Sequence, residues 1–148
     1  MSVLEYKRAL LYRKAQGNVH RESYFKKIHA LTGSVVNKGD FLTLEETDGI
    51  IDALKKSKVD LDQSIQLDNY QQIISFIKAQ LGGLFFHLLI DEEWKYCGAY
   101  ITNLIHLEDY SFDTLKSDEI RVIPQDLSFQ ILVDFDDNEL TLEYTSYK

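Results

Sequence analysis

Apolar and polar residues alternate near the C-terminus of the chain. Every second residue from Leu127 to Phe135 is apolar, and a second alternating run begins at Leu140. Asp136–Asn138 separates the two runs, and Asn tolerates the positive φ that a tight hairpin turn needs. This pattern predicts a β-hairpin over Leu127–Tyr147 with one buried face and one polar face.

The front of the chain has helical spacing instead. Ser2 precedes Glu5 by three residues and Thr43 precedes Glu46 by three, which is the spacing of a capping box. Gly17 is interpreted as a helix stop. The clearest apolar stripe, at i, i+3, i+4 and i+7 spacing, belongs to the last of the helical segments. The pattern predicts helices over Val3–Gln16, Glu22–Thr32, Thr43–Lys58 and Asp68–Leu81.

After Gly83 the apolar period shortens from about 3.6 residues to about 2. Leu84–Ile90 is almost wholly apolar, as in a strand that is covered on both faces. Asp91–Glu93 is interpreted as a turn, and Trp94–Thr102 is predicted to be the partner strand.

The segment Asn103–Arg121 leaves two alternatives open, a short helix near Phe112–Lys116 or a strand ending at Pro124. Helices that precede strands predict an α+β fold, with N-terminal helices packed on one face of a C-terminal antiparallel sheet. The length of 148 residues predicts a single domain, mainly helical over residues 1–83 and mainly β over residues 84–148.

Composition narrows the class of protein. The chain is 45% hydrophobic and 27% charged, which is typical of a folded globular domain. It contains no apolar run of about 18 residues and does not begin with a secretion signal. The single cysteine, Cys97, cannot form an intrachain disulfide. We therefore expect a cytoplasmic protein without a membrane partner, a cofactor or a metal.

Charge is distributed unevenly along the chain. Met1–Lys58 contains 11 Lys and Arg against 7 Asp and Glu, a net charge of +4. Val59–Lys148 contains 5 against 17, a net charge of −12, and the two halves give the −8 of the whole chain. Such self-repulsion destabilises an isolated protein, but it is useful to one that meets a cationic partner.

Reactive residues are few and isolated. His87 lies within the apolar strand, where a hydrogen-bonded core histidine is expected. Cys97 is expected to be a small apolar filler in a strand. Asp134, Asp136 and Asn138 imitate a calcium loop, but Glu139 stands where that loop needs glycine. No catalytic residue and no metal ligand is therefore predicted.

Basic residues and tyrosines are interleaved between Lys7 and Lys27, as in some nucleic-acid-binding segments. The acidic balance of the whole chain argues against a nucleic-acid partner. Solvated helix faces, or a dock for the acidic half, are the preferred interpretation.

The predicted contact surface combines carboxylates and aromatic residues of the acidic half. Carboxylates would supply complementarity to a cationic protein partner, and buried aromatics would supply affinity. Other carboxylates of this half lie in and before the predicted hairpin. The candidate contact residues are Asp91, Glu92, Glu93, Trp94, Tyr96, Tyr100, Glu108, Asp109, Tyr110 and Asp113.

A helical front, the strands of Gly83–Thr102 and a closing hairpin over Leu127–Tyr147 resemble the build of bacterial immunity proteins, including those of contact-dependent growth inhibition. The resemblance implies a protein that binds a cognate toxin domain, often a basic nuclease, and inhibits it without catalysis. Two alternatives stay open. One is a small-molecule-binding or enzymatic domain that uses His87, and the other is a self-associating structural subunit.

Overall fold

The N-terminal segment forms one continuous helix. In the computed structural model, which describes residues 2–66 and 70–148, helix α1 spans Val3–Thr32. The Ser2 hydroxyl accepts from the Glu5 N–H at 3.1 Å, and Gly33, at φ 68°, ends the helix. The predicted break at Gly17 is wrong: Gly17 is buried in the helix, and a Cβ there would lie 3.0 Å from the carbonyl oxygen of Tyr96.

Two further long helices follow the sequence pattern. Helix α2 spans Leu44–Lys56. Its capping box is complete, because the Glu46 N–H donates to the Thr43 hydroxyl and the Thr43 N–H donates to the Glu46 carboxylate, both at 3.0 Å. Helix α3 spans Tyr70–Leu81 and buries its apolar stripe. The predicted cap, Asp68, lies outside the described residues.

The strands form one antiparallel sheet. The strands are β1 (Val59–Ile65), β2 (Phe86–Ile90), β3 (Tyr100–Thr102), β4 (Glu119–Pro124), β5 (Phe129–Asp136) and β6 (Glu139–Tyr147). Their order in the sheet is β1-β6-β5-β4-β2-β3, so sequence neighbours β4, β5 and β6 are also spatial neighbours.

The predicted hairpin is confirmed. Strands β5 and β6 pair from Phe129 opposite Ser146 to Asp136 opposite Glu139. Both residues between them have positive φ, 49° at Asp137 and 64° at Asn138. Two such residues make the tight turn whose twist matches that of the flanking strands.

Two parts of the sheet differ from the sequence prediction. Strand β1 was not predicted, because it is an edge strand exposed on nearly all its residues and so carries no hydrophobic pattern. The predicted strand Trp94–Thr102 is wrong at its start: Trp94–Cys97 forms a short helix, α4, and only Tyr100–Thr102 is extended. At Gly98 between them, φ is 89° and a Cβ would lie 2.2 Å from the Leu42 carbonyl oxygen, so that only glycine fits.

Both alternatives for the unassigned segment occur in turn. A short helix, α5, spans Phe112–Leu115, and β4 ends at Pro124. Short 3₁₀ turns lie at Lys38–Asp40 and Leu107–Asp109.

The core confirms an α+β fold. Helices α1 and α3 cover one face of the sheet, where Ile28 and Ile77 join Leu88 in the main apolar cluster. Helix α2 lies against the other face, where Leu54 packs with Leu89 and Ile123. Strand β2 is therefore buried on both faces, as predicted, but the prediction began two residues too early, because Leu84 and Phe85 precede the strand and are exposed. Among the described residues, no helix combines the length and apolarity that crossing a bilayer requires.

The close approach at Gly17 can be tested with a matched pair of glycines. Gly17→Ala should lower the free energy of unfolding by about 1–3 kcal/mol, because its methyl group pushes against the Tyr96 carbonyl. Gly49→Ala, exposed in α2 with no atom within 4 Å of the added carbon, should raise it by roughly 0.5–1 kcal/mol. Chemical denaturation of both variants gives the comparison, and a stabilised Gly17→Ala would contradict the proposed contact.

Candidate functional site

Carboxylates gather where strands β4, β5 and β6 meet. Strand β4 begins at Glu119, β5 ends at Asp136 and β6 begins at Glu139, so the antiparallel order brings these three ends together. The Phe135 N–H donates to the Asp118 carbonyl at 2.7 Å, which joins the preceding residue to the same edge. We call this group the acidic end of the sheet; it consists of Asp118, Glu119, Asp134, Asp136, Asp137 and Glu139.

Like charges face one another at this end. Glu119 lies directly opposite Asp134, and Asp136 lies directly opposite Glu139. Carboxylates in directly opposed positions repel, since their Cβ atoms are only about 5 Å apart. Arg121 donates to Glu119 at 3.3 Å and offsets part of this repulsion. The pair of Asp136 and Glu139 makes no ion pair with any described residue.

The acidic end is anchored by a buried ion cluster. The Lys27 ammonium lies 2.6 Å from an Asp91 oxygen and 2.7 Å from a Glu93 oxygen, and its side chain is 5% exposed. Asp91 uses its second oxygen to accept from the N–H groups of Asp118 and Glu119, at 2.8 and 2.9 Å. The start of β4 is therefore fixed to α1 through one carboxylate.

The charge of Lys27 depends on its two partners. Burial opposes the charged form, but hydrogen bonds to Asp91 and Glu93 outweigh it and raise the pKa of the ammonium above its ordinary value. Ser23 also donates to Glu93 at 3.2 Å. Asp91 and Glu93, which the sequence suggested as contacts for a partner, are thus occupied inside the molecule.

The aromatic candidates divide into two groups. Tyr100 and Tyr110 lie in the core, 5% and 3% exposed, so they do not form a contact surface. The Tyr100 hydroxyl accepts from the Asn37 N–H at 3.0 Å, and the Tyr110 hydroxyl donates to Ser117 at 2.8 Å. Trp94 and Tyr96 lie half-buried on α4.

The remaining candidates are exposed carboxylates. Glu92 lies 3.6 Å from Lys95 in a solvent-exposed pair, and Glu108 lies 3.5 Å from His106. Asp109 and Asp113 make no ion pair with a described residue. These four therefore remain available for contact, although they do not belong to the acidic end.

A groove lined by aromatic residues separates α1, α2 and α4. It has a volume of about 480 Å³, and Tyr12, Trp94 and Tyr96 contribute to its walls. Arg13 forms a two-pronged pair with Asp48, at 2.7 and 2.9 Å, within the groove. Sequence reasoning missed this pair. The seven-residue spacing of Tyr6 and Arg13 places both on one side of α1, but nothing in a single sequence matches that side to Asp48.

Asp48 is held ionised by its neighbours. Burial alone would raise its pKa, but hydrogen bonds from Arg13 and Tyr6 lower it below the ordinary value of 3.8. The Tyr6 hydroxyl donates to Asp48 at 2.6 Å, and this hydrogen bond raises the pKa of Tyr6 to about 12.

His87 is buried and Cys97 is half-buried. His87 is 6% exposed, as expected of a core residue, but its Nδ1 has no hydrogen-bond partner among the described residues, so the expected hydrogen bond is absent there. Burial lowers the pKa of His87. Burial also raises the pKa of Cys97 to about 11. The Cys97 thiol, at the end of α4, lies 3.8 Å from the Gly17 carbonyl oxygen. Neither residue has a carboxylate within hydrogen-bond distance in the described part of the chain.

Comparison with known proteins adds no relative. No protein-family model, no curated protein and no solved structure matches the chain at a significant level. Within residues 2–66 and 70–148, no group of three or more His, Cys, Asp or Glu side chains is arranged to hold a metal ion.

The buried ion cluster predicts a large cost for removing its cation. Lys27→Met keeps the length of the side chain but leaves two buried carboxylates without their ammonium, and should lower the free energy of unfolding by about 3–5 kcal/mol. Lys26→Met, at the exposed neighbouring position, is the matched control and should change it by less than about 0.5 kcal/mol. Equal effects in denaturant titrations would show that the cluster does not stabilise the fold.

The ion pair of Arg13 and Asp48 in the groove predicts a specific dependence of stability on pH. A folded-state pKa below the unfolded value means that Asp48 stabilises the protein above about pH 4, and that this contribution disappears as the pH falls through the folded pKa. The difference in unfolding free energy between the native protein and Asp48→Asn should thus be constant above about pH 5 and shrink below about pH 4. Spectroscopic titration should also show a lower pKa for Tyr6 in the variant. The exposed Asp52→Asn is the control.

Proposed function

We propose that this chain is a non-catalytic binding protein that engages a cationic protein partner through the acidic end of its sheet. The resemblance in build suggests the partner's class, a cytoplasmic toxin domain of the nuclease type, which would make this chain an immunity protein. The observation that carries the proposal is the pair of like-charge oppositions, Glu119 with Asp134 and Asp136 with Glu139.

These oppositions work against the isolated protein. Like charges directly opposite one another in a sheet destabilise it, by roughly 0.2–1 kcal/mol for a pair. A partner that brings lysines or arginines to the same edge relieves the repulsion on binding. Such complementarity also raises the association rate and fixes orientation.

A nuclease fits this description because its own substrate is a polyanion. The lysines and arginines that hold phosphates in a nuclease form a cationic surface. A row of carboxylates meets the same groups as the phosphates do, and so competes with the substrate without any chemistry on the inhibitor.

Aromatic surface would supply the affinity that exposed charges lack. Trp94 and Tyr96 are half-buried on α4 and follow the exposed Glu92 in sequence. Trp, Tyr and Arg are the residues that most often dominate binding energy, and the groove with Arg13 contains all three types.

Charge reversal at the acidic end tests the proposal with two readouts. In Asp134→Lys/Glu139→Lys each like-charge opposition becomes an opposite-charge pair, so the free protein should gain roughly 0.5–2 kcal/mol in unfolding free energy. The same variant should associate at least about tenfold more slowly with a cationic nuclease domain that binds the native protein, with a weaker dependence on salt. Stopped-flow mixing and denaturation measure the two effects.

Matched variants separate the acidic end from general charge. Asp109→Lys/Asp113→Lys reverses as many exposed charges without a facing carboxylate in a strand, and should not stabilise the free protein. Lys7→Glu/Arg8→Glu, on the exposed front of α1, should leave association nearly unchanged. If only the reversals at Lys7 and Arg8 abolish binding, the partner is anionic and the proposal is wrong.

A further inference from the structure

A second cavity opens on the basic side of the molecule. It lies between α1 and the segment that leads into α2, beside the end of α4, and has a volume of about 530 Å³. That volume lies within the range of small-molecule sites, about 300–1,000 Å³. It is separate from the acidic end of the sheet, with which it shares no lining residue.

One wall of the cavity is aromatic. The rings of Phe25 and Phe41 are stacked with centroids 5.2 Å apart and planes inclined by 14°. Both rings are only partly buried, so part of this aromatic surface faces the cavity. Such a wall favours a planar apolar body over a hydrated ion.

The charged residues of the cavity are all cationic. Lys14, Arg21 and Lys38 line it, and no carboxylate does, although Asp and Glu outnumber Lys and Arg by 24 to 16 in the chain. Lys14 is paired with Glu45 at 3.2 Å, a carboxylate outside the lining. The side chains of Arg21 and Lys38 make no hydrogen bond or ion pair with any described residue.

The start of helix α2 adds little positive potential to the cavity. Thr43 and Leu44 line the cavity, but Glu45 and Glu46 in the first turn offset the partial positive charge of the helix N-terminus, and Glu46 already accepts from the Thr43 N–H. The features that define the site are therefore two unpaired side-chain cations and an aromatic wall, which meet in one open cavity.

We propose that this cavity binds a small amphipathic organic anion, with an aromatic body against Phe25 and Phe41 and an acidic group between Arg21 and Lys38. A purely apolar ligand would make no charge contact with Arg21 and Lys38. An inorganic anion would leave the aromatic wall exposed to water. The matching ligand class is the aromatic carboxylate, sulfonate or phosphate.

The probe pair is anilinonaphthalene sulfonate and its uncharged analogue, N-phenylnaphthylamine. The sulfonate should bind the native protein with saturable one-to-one stoichiometry in a fluorescence titration. In Arg21→Gln/Lys38→Gln, its affinity should fall roughly three- to thirtyfold, because two charge contacts are lost. The uncharged analogue should bind both proteins equally. The control Arg8→Gln/Lys26→Gln removes two exposed cations elsewhere on α1 and should change affinity by less than about twofold.

The only cysteine of the chain locates the bound probe. Cys97 lines the cavity, and its raised pKa, about 11, makes its alkylation by iodoacetamide slow enough to follow. The sulfonate should slow this alkylation in proportion to occupancy. Circular dichroism checks that each variant is folded. If the sulfonate binds without protecting Cys97, or if both double variants bind it equally, the proposal is overturned.

Discussion

The structure depends on one buried cation. Lys27 reaches from α1 to Asp91 and Glu93, which are the first and last residues of the turn between β2 and α4. Asp91 in turn receives the first two N–H groups of the β4 segment. One ammonium therefore fixes the long helix, the end of the central strand and the start of its neighbour relative to one another. Desolvation offsets most of the attraction in a buried ion pair, so the cost of losing the ammonium comes mainly from the carboxylates left without a partner.

The parts of the fold that were predictable are those with a local signal. The hairpin is predicted by the alternation of apolar and polar residues and by turn residues that tolerate positive φ. The start of α2 is predicted by the capping-box spacing of Thr43 and Glu46. The errors have the opposite cause. Glycine is a poor helix former, so the sequence predicts a helix stop at Gly17, but the residue lies inside α1 where the Tyr96 carbonyl of α4 leaves little space for a side chain. That reason lies about 80 residues away in sequence, where no local pattern records it.

Only the sign of the charge at the candidate site was predictable from the sequence. Counting charges located the acidity in the second half, but each carboxylate's role depends on contacts across the fold. The sequence does not distinguish Asp91 and Glu93 from the exposed Glu92, but in the fold both bind the buried Lys27 ammonium. Conversely, nothing in the sequence places Glu119 opposite Asp134, because that register depends on how β4 pairs with β5.

The excess negative charge separates into carboxylates with and without a structural role. Asp91 and Glu93 neutralise a buried cation, and Asp126 accepts from the Ser128 N–H at 3.0 Å, which closes the turn before β5. Asp60 and Asp62 lie on the edge strand β1, where charge prevents further strands from adding. The facing carboxylates of the acidic end differ from these: Glu119 accepts from Arg121, but Asp136 and Glu139 make no ion pair with a described residue and repel one another across the hairpin. This repulsion, which no ion pair with a described residue offsets, is the observation that supports the proposed contact with a cationic partner.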